Sequence, residues 1–484
     1  MSVPAPQPSV STSPEPSQAF AASAAPAARA LGRGWLALMG AVALAPAVIA
    51  VTQLGRIHPD EVYQVLEPAW HRAHGYGVLA WEWQDGLRNW AVPLLFSWLL
   101  RLASLLGLTH PQAYRALLEL PQLALHGWML LATYRYAERR AGQAAGLLAT
   151  LLMGLYGPVL VFGGRTMSES FSAAFLVIAL EALDRRERLE RAGLLGGLAL
   201  GLAVVTRYGS AVVVLAALVW LGLAGRWRVL AFTCLGGLAV ALGLGALDWS
   251  TWGSPFHSLL AYLRFNVFTN GAAQQFGAHP RGFYVPVLLT AIPLWVWLTA
   301  PLGLASLRRR AVSLPLFCAA VYVAAVSATP HKEERFLYPA LVLLVLAAAP
   351  AIAGWLMAPS RLERLRWGGA ALALVATVAP AASYPPQDLR ADQFRAIVTA
   401  TRDARATGLL IVNEGLWGAG GFFYLGKNIP WLTCDWPHDW AFQRAIQDPA
   451  FNRAVTFEGR ALPELQAAGF RVVGQVGRET MLAR

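Results

Sequence analysis

The segment His331-Lys332-Glu333-Glu334-Arg335-Phe336 separates two long apolar runs, 311–328 before it and 337–357 after it. Consecutive ionisable residues between segments of membrane-spanning length are costly to place and are usually functional. Lys332 and Arg335, with His331, suit a phosphate or pyrophosphate leaving group, because they donate charge-assisted hydrogen bonds to its oxygens. The alternative is a short solvated turn that holds an ion-pair cluster. The segment therefore predicts a membrane protein, and it favours a charged functional site.

The composition of the whole chain leads to the same class. Of 484 residues, 56% are hydrophobic and 14% are charged, against about 25% charged in soluble domains. A water-soluble globule, a disordered chain and a nucleic-acid binder are excluded. The net charge of +12 is typical of Lys and Arg concentrated in loops on one side of a bilayer. Three cysteines cannot build a disulfide framework, and no His/Cys spacing predicts a metal site.

Eleven apolar runs are predicted to span the membrane. They are Trp35–Leu54, 113–134, 141–162, 169–183, 192–206, 208–224, 229–248, 283–304, 311–328, 337–357 and 368–384. The run 91–108 contains Arg101 and is interpreted as an interfacial or re-entrant helix. With this choice every basic loop falls on the cytoplasmic side, as the positive-inside rule demands. These loops are 135–140, 185–191, 226–228, 308–310 and 361–366.

The topology divides the chain into three regions. Residues 1–30 are rich in Pro, Ala and Ser and predict a disordered tail. Residues 31–384 form the transmembrane domain, with large outer loops at 55–112 and 249–282. Aromatic residues among the charges of the first loop are typical of a segment that lies at the membrane interface.

Residues 385–484 have ordinary polarity and predict a small extracytoplasmic α/β domain. Phe394–Ala406 has a helical pattern, and Leu409–Val412 is a short apolar strand. Phe470–Val476 and Glu479–Leu482 are predicted to pair as strands.

The motif His58-Pro59-Asp60-Glu61 begins the first outer loop. Adjacent carboxylates on a helix point in different directions, so they are not a pair that shares one proton. One of them could act as a general base at the membrane surface. The alternative is that Asp60 caps a helix that begins after Pro59.

Other polar residues of the outer face have two interpretations each. Trp81-Glu82-Trp83 is either a sugar-binding wall or part of an interfacial aromatic belt. Arg165 and Arg207 lie at the ends of predicted spans. A lone Arg there often only extends towards water, but two of them beside the acidic loop favour a binding site.

Together these motifs resemble glycosyltransferase family 22, above all its GPI-anchor mannosyltransferases and their bacterial relatives. The motifs follow the family's order over roughly residues 50–350: HPDE at 58–61, WEW at 81–83, RT at 165–166, FN at 265–266, GAHP at 277–280 and HKEERFLYP at 331–339. The chain departs from the family pattern at Glu169, where Asn is usual, and lacks a clear TPYYS-like motif.

The resemblance implies the GT-C fold, an all-α polytopic membrane protein, with a catalytic carboxylate in the first extracytoplasmic loop. It predicts an inverting transferase that moves mannose from a polyprenyl-phosphate donor to a lipid-linked glycan or glycolipid. Asp60 is then the expected general base, and Glu61 orients the acceptor or supports Asp60. The expected substrate-binding residues are His58, Trp81, Glu82, Arg88, Arg165, Arg207, His279, His331, Lys332, Glu333, Arg335 and Tyr338.

The expected partners are the bilayer, the lipid-phosphate sugar donor and the glycan or glycolipid acceptor, with no nucleic acid, no metal and no cofactor. The composition indicates a bacterial plasma membrane with the active site facing the periplasm; in a eukaryote the location is the ER membrane. One alternative is a GT-C transferase of arabinose or glucose. Another is a transporter of lipid-linked sugars, which usually needs polar residues at mid-membrane and repeat symmetry.

Overall fold

The computed structural model describes residues 33–299, 313–358, 363–379 and 387–484. The predicted tail 1–30, the basic loop 308–310 and the start of the loop 361–366 lie outside these ranges. The chain forms two compact units, Met1–Gly40 and Ala41–Arg484. Within the described residues the first unit contributes only the start of the helix Arg33–Thr52, and the features below belong to the second.

The described chain is mostly helical before residue 380. Its helices are α1 Arg33–Thr52, α2 Glu67–His74, α3 Trp81–Gln84, α4 Ala91–Leu105, α5 Pro111–Ala141, α6 Gln143–Gly154, α7 Gly157–Phe162, α8 Ser168–Asp184, α9 Leu189–Thr206, α10 Ala211–Leu223, α11 Trp227–Trp252, α12 His257–Leu263, α13 Gly271–Phe276, α14 Tyr284–Ala291, α15 Leu314–Ala328, α16 Tyr338–Met357 and α17 Glu363–Val378. Two π-helical segments, Glu61–Leu66 and Arg264–Phe268, occur in the outer loops.

Within the ranges that the structure describes, four helical segments are long and apolar enough to cross a membrane. They are Gly34–Thr52, Leu189–Thr206, Trp227–Trp252 and Glu334–Met357. Shorter apolar helices include Ala91–Leu105, within the run interpreted as interfacial or re-entrant. The apolar character of these helices agrees with a membrane protein, whereas the number of eleven spans stays a prediction.

Helix α8 shows how the charges are sorted to two ends of the helical region. At its C-terminal end Glu181 lies 2.5 Å from Arg139, and Asp184 lies 2.5 Å from Arg140. Both arginines belong to a loop predicted to be cytoplasmic. At the N-terminal end Glu169 lies in the first turn, where the helix dipole favours a carboxylate. The basic loop is therefore one helix length away from the residues of the predicted site.

The C-terminal region is a five-stranded sheet flanked by short helices. The strands are β1 Leu409–Val412, β2 Trp431–Cys434, β3 Arg453–Thr456, β4 Arg471–Val476 and β5 Glu479–Ala483, in the order β2-β1-β3-β5-β4. The helices are α18 Ala391–Arg402, α19 Leu416–Ala419, α20 Gly421–Leu425, α21 Trp440–Gln447 and α22 Leu462–Ala467. Strand β1 is parallel to β2 and β3, while β5 is antiparallel to β3 and β4.

The predicted strands are found as β1, β4 and β5. The helix predicted over Phe394–Ala406 runs instead over Ala391–Arg402. It ends early because the Asp403 carboxylate accepts the N–H of Arg405 at 2.9 Å, which closes a local turn.

The sheet region and the first outer loop share one hydrophobic core. Trp70 and Tyr114 pack against Phe423, with ring centroids 6.2 and 4.9 Å apart. The Glu67 carboxylate accepts the N–H groups of Val78 at 2.8 Å and Phe423 at 2.5 Å. The Trp70 ring is therefore buried inside the protein, between the first outer loop and the sheet region.

Candidate active site

A cavity of about 880 Å³ lies between the first outer loop, the start of α8 and the segments around 262–279 and 329–336. This volume is typical of a ligand pocket. Most of the predicted site residues line it: His58, Asp60, Trp81, Glu82, Arg88, Arg207, His279, His331, Lys332, Glu333 and Arg335. Glu61, Arg165 and Tyr338 are not among its lining residues.

Asp60 and Arg335 form the central ion pair of this cavity. Asp60 Oδ2 lies 2.8 Å from Arg335 Nη2. Arg335 also donates to Glu333, from Nε at 2.6 Å and from Nη2 at 3.1 Å. His58 lies beside both carboxylates, 3.3 Å from Asp60 and 3.5 Å from Glu333. Arg335 is thus oriented by two carboxylates, and 24% of the Asp60 side chain stays exposed.

The Asp60 carboxylate faces this ion pair and does not cap a helix. Asp60 precedes the π-helical segment Glu61–Leu66, and its side chain makes no capping hydrogen bond. Its backbone is helical, with φ −59° and ψ −29°, whereas capping residues usually have extended backbone. The interpretation of Asp60 as a cap is therefore wrong.

The charge state of Asp60 follows from its neighbours. Burial raises the pKa of the Asp60 carboxyl, but Arg335 and the hydrogen-bonded His58 outweigh burial and hold this pKa well below its usual value. Asp60 is therefore ionised at neutral pH, and it can accept a proton. The same ion pair makes it a weaker base for as long as Arg335 stays in contact.

A second guanidinium lies beside Arg335. Arg207 Nη1 is 2.6 Å from Glu169 Oε1, and Arg335 Nη1 is 3.6 Å from the same oxygen. The Phe336 ring lies 4.9 Å from the Arg207 guanidinium and 5.3 Å from that of Arg335. Two cations thus converge on one wall of the cavity, an arrangement that suits the oxygens of a phosphate group.

Glu61 and Arg165 lie behind the cavity wall, in a buried polar network. Glu61 is fully buried, and its Oε1 lies 2.7 Å from Arg115 and 3.5 Å from Arg165. Arg165 also donates to the Gly55 carbonyl at 2.8 Å and to Gln53 Oε1 at 2.7 Å. Both residues therefore hold the first outer loop in place, and the geometry favours structural roles over the predicted roles at the substrate.

Tyr338 is also buried outside the cavity lining. Its ring stacks on Phe162 with centroids 4.4 Å apart. Tyr338, the penultimate residue of the motif at 331–339, is therefore part of the helix packing at the start of α16.

Lys332 lies at the cavity but is only 2% exposed. Its ammonium donates to the His279 carbonyl at 3.0 Å. The N–H of His279 in turn donates to the Pro330 carbonyl at 3.0 Å, and His331 Nδ1 lies 3.1 Å from the Gly277 carbonyl. These contacts join the segments 277–279 and 329–332, so Lys332 fixes the loop geometry around the two arginines.

Trp81 supplies an aromatic part of the cavity wall. Its ring packs against Phe265 at 5.1 Å and Phe276 at 6.1 Å, in the second outer loop. Next to it, Arg88 Nη2 lies 2.6 Å from Glu82 Oε1. An aromatic surface beside a charged pair offers both an apolar face and hydrogen-bonding groups to a sugar ring.

Two polar residues that contact this site were not predicted as site residues: Glu169, which is buried behind the lining, and Asn89, which lines the cavity. Glu169 bridges the two arginines, and its departure from the family pattern was the only signal that could have identified it. Asn89 donates to the Val205 carbonyl at 2.8 Å and to the Tyr208 hydroxyl at 3.0 Å. No local motif marks Asn89, because its partners are distant in sequence.

In the described ranges, no group of three or more His, Cys, Asp or Glu side chains is arranged to hold a metal ion. Cys234, Cys318 and Cys434 are free thiols. That the reaction uses no metal and no cofactor stays a prediction.

Comparisons with known sequences agree with the motifs. Residues 36–384 match the model of the Alg9-like mannosyltransferase family. GPI mannosyltransferase 3 of Yarrowia lipolytica is 30% identical over 334 residues, which cover 67% of this chain and 63% of the yeast protein. GPI mannosyltransferase 3 of Drosophila melanogaster is 26% identical over 343 residues, 67% of this chain and 57% of the fly protein. The match thus spans less than two thirds of these relatives.

Solved structures share the architecture. ArnT from Cupriavidus metallidurans, bound to undecaprenyl phosphate, superposes with a TM-score of 0.61 over 94% of this chain and 98% of ArnT, at 15% identity. An Archaeoglobus fulgidus oligosaccharyltransferase superposes with a TM-score of 0.53 over 87% of this chain and 69% of that protein, at 12% identity. At such identities the likeness concerns the fold alone, and it confirms the predicted GT-C architecture. With the apolar helices it identifies an integral membrane protein.

Proposed function

The chain belongs to the Alg9-like mannosyltransferase family, and we propose that it is an inverting mannosyltransferase. The donor is a polyprenyl-phosphate-linked mannose, and the acceptor is a hydroxyl of a lipid-linked glycan or glycolipid. The observation that carries the proposal is the 2.8 Å contact of Asp60 with Arg335 inside one cavity. It combines a carboxylate that can accept a proton with a guanidinium that can bind a phosphate.

In the proposed reaction the acceptor hydroxyl oxygen attacks the anomeric carbon while the bond from that carbon to the phosphate oxygen breaks. Asp60 takes the proton of the hydroxyl as general base. The lipid phosphate leaves with the bonding electron pair. Arg335 and Arg207 stabilise the negative charge that grows on the phosphate. Such electrostatic stabilisation usually contributes more to catalysis than any other effect.

Arg335 is paired with Asp60 inside the 880 Å³ cavity. A donor phosphate that enters would compete with Asp60 for the Arg335 guanidinium. Loss of this contact raises the basicity of Asp60, because the opposite charge that lowers its pKa is now shared with the phosphate. Donor binding thereby prepares the base for the acceptor.

The walls of the cavity support a lipid-linked donor. Beyond the charged end the lining includes the apolar residues Val205, Val212, Ala325 and Val326. Such a surface suits a prenyl chain next to its phosphate. The ArnT structure, which contains undecaprenyl phosphate, supports the same class of ligand by likeness of fold.

We place the reaction on the extracytoplasmic face, with the C-terminal domain on that same face. The support is the pairing of Arg139 and Arg140 with acidic residues at the far end of α8, since basic loops are typically cytoplasmic. Single cysteines introduced at exposed positions of 387–484 should react with a membrane-impermeant thiol reagent in intact cells. Labelling that requires lysis contradicts this orientation and the count of eleven spans.

The activity test uses purified full-length protein, polyprenyl-phosphate mannose and a panel of lipid-linked glycan acceptors. We expect mannose to appear on an acceptor with inverted anomeric configuration, and Asp60→Asn to abolish the product. Polyprenyl-phosphate arabinose and glucose serve as competing donors. A product only from one of these, or retention of configuration, contradicts the proposal.

A further inference from the structure

A second cavity, of about 680 Å³, lies on the other side of the catalytic loop. His58 and Pro59 line both cavities, so only the loop that carries Asp60 separates them. Arg56 also lines the second cavity, and the rest of its wall comes from the C-terminal region, including Gln393, Arg478 and Glu479. A molecule in this cavity would touch the catalytic loop from the side opposite the donor.

Next to the second cavity, hydrogen bonds join the catalytic loop to the C-terminal sheet region. Arg56 and Leu389 form an antiparallel β-bridge, with N···O distances of 3.0 and 2.9 Å. The N–H of Gly55 donates to Asp388 Oδ1 at 2.6 Å. The cavity is therefore built on ordered backbone.

Three side chains that line this cavity are buried and have unused hydrogen-bonding atoms. Arg56, Gln393 and Glu479 are 7%, 1% and 3% exposed. Among the described residues, no partner exists for Nε and Nη1 of Arg56, for Nε2 and Oε1 of Gln393, or for Oε2 of Glu479. Buried polar atoms are normally paired, and unpaired ones call for an explanation such as a ligand.

The unused atoms include both donors and acceptors, which decides the class of ligand. The donors belong to Arg56 and Gln393, and the acceptors are the oxygens of Gln393 and Glu479. A phosphate has mainly acceptor oxygens and would leave the oxygens of Gln393 and Glu479 unpaired. Sugar hydroxyls donate and accept, so a glycan satisfies the whole set.

We propose that this second cavity binds the glycan part of the acceptor and that the C-terminal domain thereby contributes the acceptor site. The inference rests on the proposed function, because it assigns the substrate that receives the mannose. A glycan held here presents a hydroxyl next to the loop of Asp60, while the donor approaches from the first cavity. Because His58 and Pro59 line both cavities, the terminal sugar of the acceptor can extend past them to the Asp60 carboxylate in the first cavity.

The test measures binding of a soluble mannose trisaccharide to the full chain in detergent, by saturation-transfer NMR. Gln393→Leu and Glu479→Leu should each weaken binding by about tenfold, since each leaves sugar hydroxyls unpaired. Gln475→Leu makes the same substitution as the first variant on an exposed residue of β4 and should leave binding unchanged. Melting temperatures confirm that the variants are folded.

Three results would overturn the inference: no binding of the trisaccharide by the unmodified protein, binding by both cavity variants as tight as by the unmodified protein, or binding of inorganic phosphate alone. Hydrolysis of the polyprenyl-phosphate mannose donor without acceptor is measured in parallel. It reports on the first cavity and should be unchanged in all three variants. Absence of mannose transfer by the unmodified protein in the activity test contradicts the proposed function, whereas unchanged trisaccharide binding by the cavity variants contradicts only the acceptor site, so the two failures are distinguishable.

Discussion

Asp60 and Glu61 are neighbours in sequence but lie in opposite environments. The Asp60 carboxylate faces the 880 Å³ cavity, beside Arg335, with 24% of the side chain exposed. The Glu61 carboxylate points the other way, is fully buried, and contacts Arg115 at 2.7 Å. One carboxylate is open to a substrate, whereas the other is closed off by arginines.

This contrast shows how one short motif can serve chemistry and stability together. The π-helical segment that begins at Glu61 turns consecutive side chains to different faces, and such segments are frequent at functional sites. The buried pair of Glu61 and Arg115 fixes the loop from behind, so that Asp60 is held at the cavity. Substitution of Asp60 should therefore impair catalysis, whereas substitution of Glu61 should impair stability.

The largest expected effect is on turnover when Asp60 is changed to Asn. The amide keeps the shape but cannot accept the proton, so we expect a loss of roughly 10²–10⁴-fold in rate. The melting temperature should stay near that of the unmodified protein, since Asp60 caps no helix. Turnover and melting temperature are measured together. Normal turnover in Asp60→Asn would contradict the role of Asp60 and would indicate that another group is the base.

Arg335 should contribute less, through the leaving group. Arg335→Ala is expected to lose roughly 10²–10³-fold in rate, as for other donors to a developing anion. Arg335→Lys should lose less, because it keeps the charge but not the planar fork. Arg228→Lys, at an exposed ion pair with Glu190, is the matched control and should be silent. Equal rates for all three variants would remove Arg335 from the mechanism.

Glu61→Gln should act on stability instead of chemistry. Removal of one partner from a buried ion pair typically costs about 3–5 kcal/mol, because the other charge stays buried. We expect a clear drop in melting temperature, with turnover per folded molecule largely kept. Glu190→Gln breaks an exposed pair and should change the melting temperature little. Normal stability with lost turnover in Glu61→Gln would show that Glu61, like Asp60, acts in catalysis.

A smaller effect is expected on the pH dependence of stability, through Glu67, which joins the first outer loop to the sheet region. Burial raises the pKa of Glu67 to about 7, although two backbone N–H groups donate to it. The folded state thus prefers the protonated acid, so its contribution to stability is complete below the ordinary pKa near 4.5 and is lost as pH rises towards 7. The melting temperature should fall over this range, and less steeply in Glu67→Gln. If the melting temperatures of the unmodified protein and of Glu67→Gln fall equally with pH, the pH dependence does not originate from Glu67.

The sequence predicted the components of the site better than their pairing. The charged segment 331–336 and the acidic motif 58–61 were identified because charges between apolar runs are conspicuous. The contact between Asp60 and Arg335 joins the two motifs across the fold, and no local pattern encodes it. Family order indicated that the motifs belong together, but it could not show which atoms meet.

The sequence could not show in which direction a buried side chain points, and this limited the prediction of the site most. Arg165 and Glu61 have the residue types of an active site, yet Arg165 is 1% exposed and bound to main-chain carbonyls and Gln53. Strands β1, β4 and β5 could be predicted because short apolar or alternating runs are a local signal. The β-bridge of Arg56 with Leu389 depends on tertiary contacts alone, so the second cavity could not be foreseen.

The central claim, that Asp60 and a donor phosphate compete for Arg335, is tested most directly by the affinity for polyprenyl phosphate. Asp60→Asn removes the competing negative charge and should bind the lipid phosphate several-fold more tightly than the unmodified protein, while turnover falls. Arg335→Ala should bind it more weakly. Weaker or unchanged binding by Asp60→Asn, with normal turnover, would contradict both the competition and the role of Asp60 as the base.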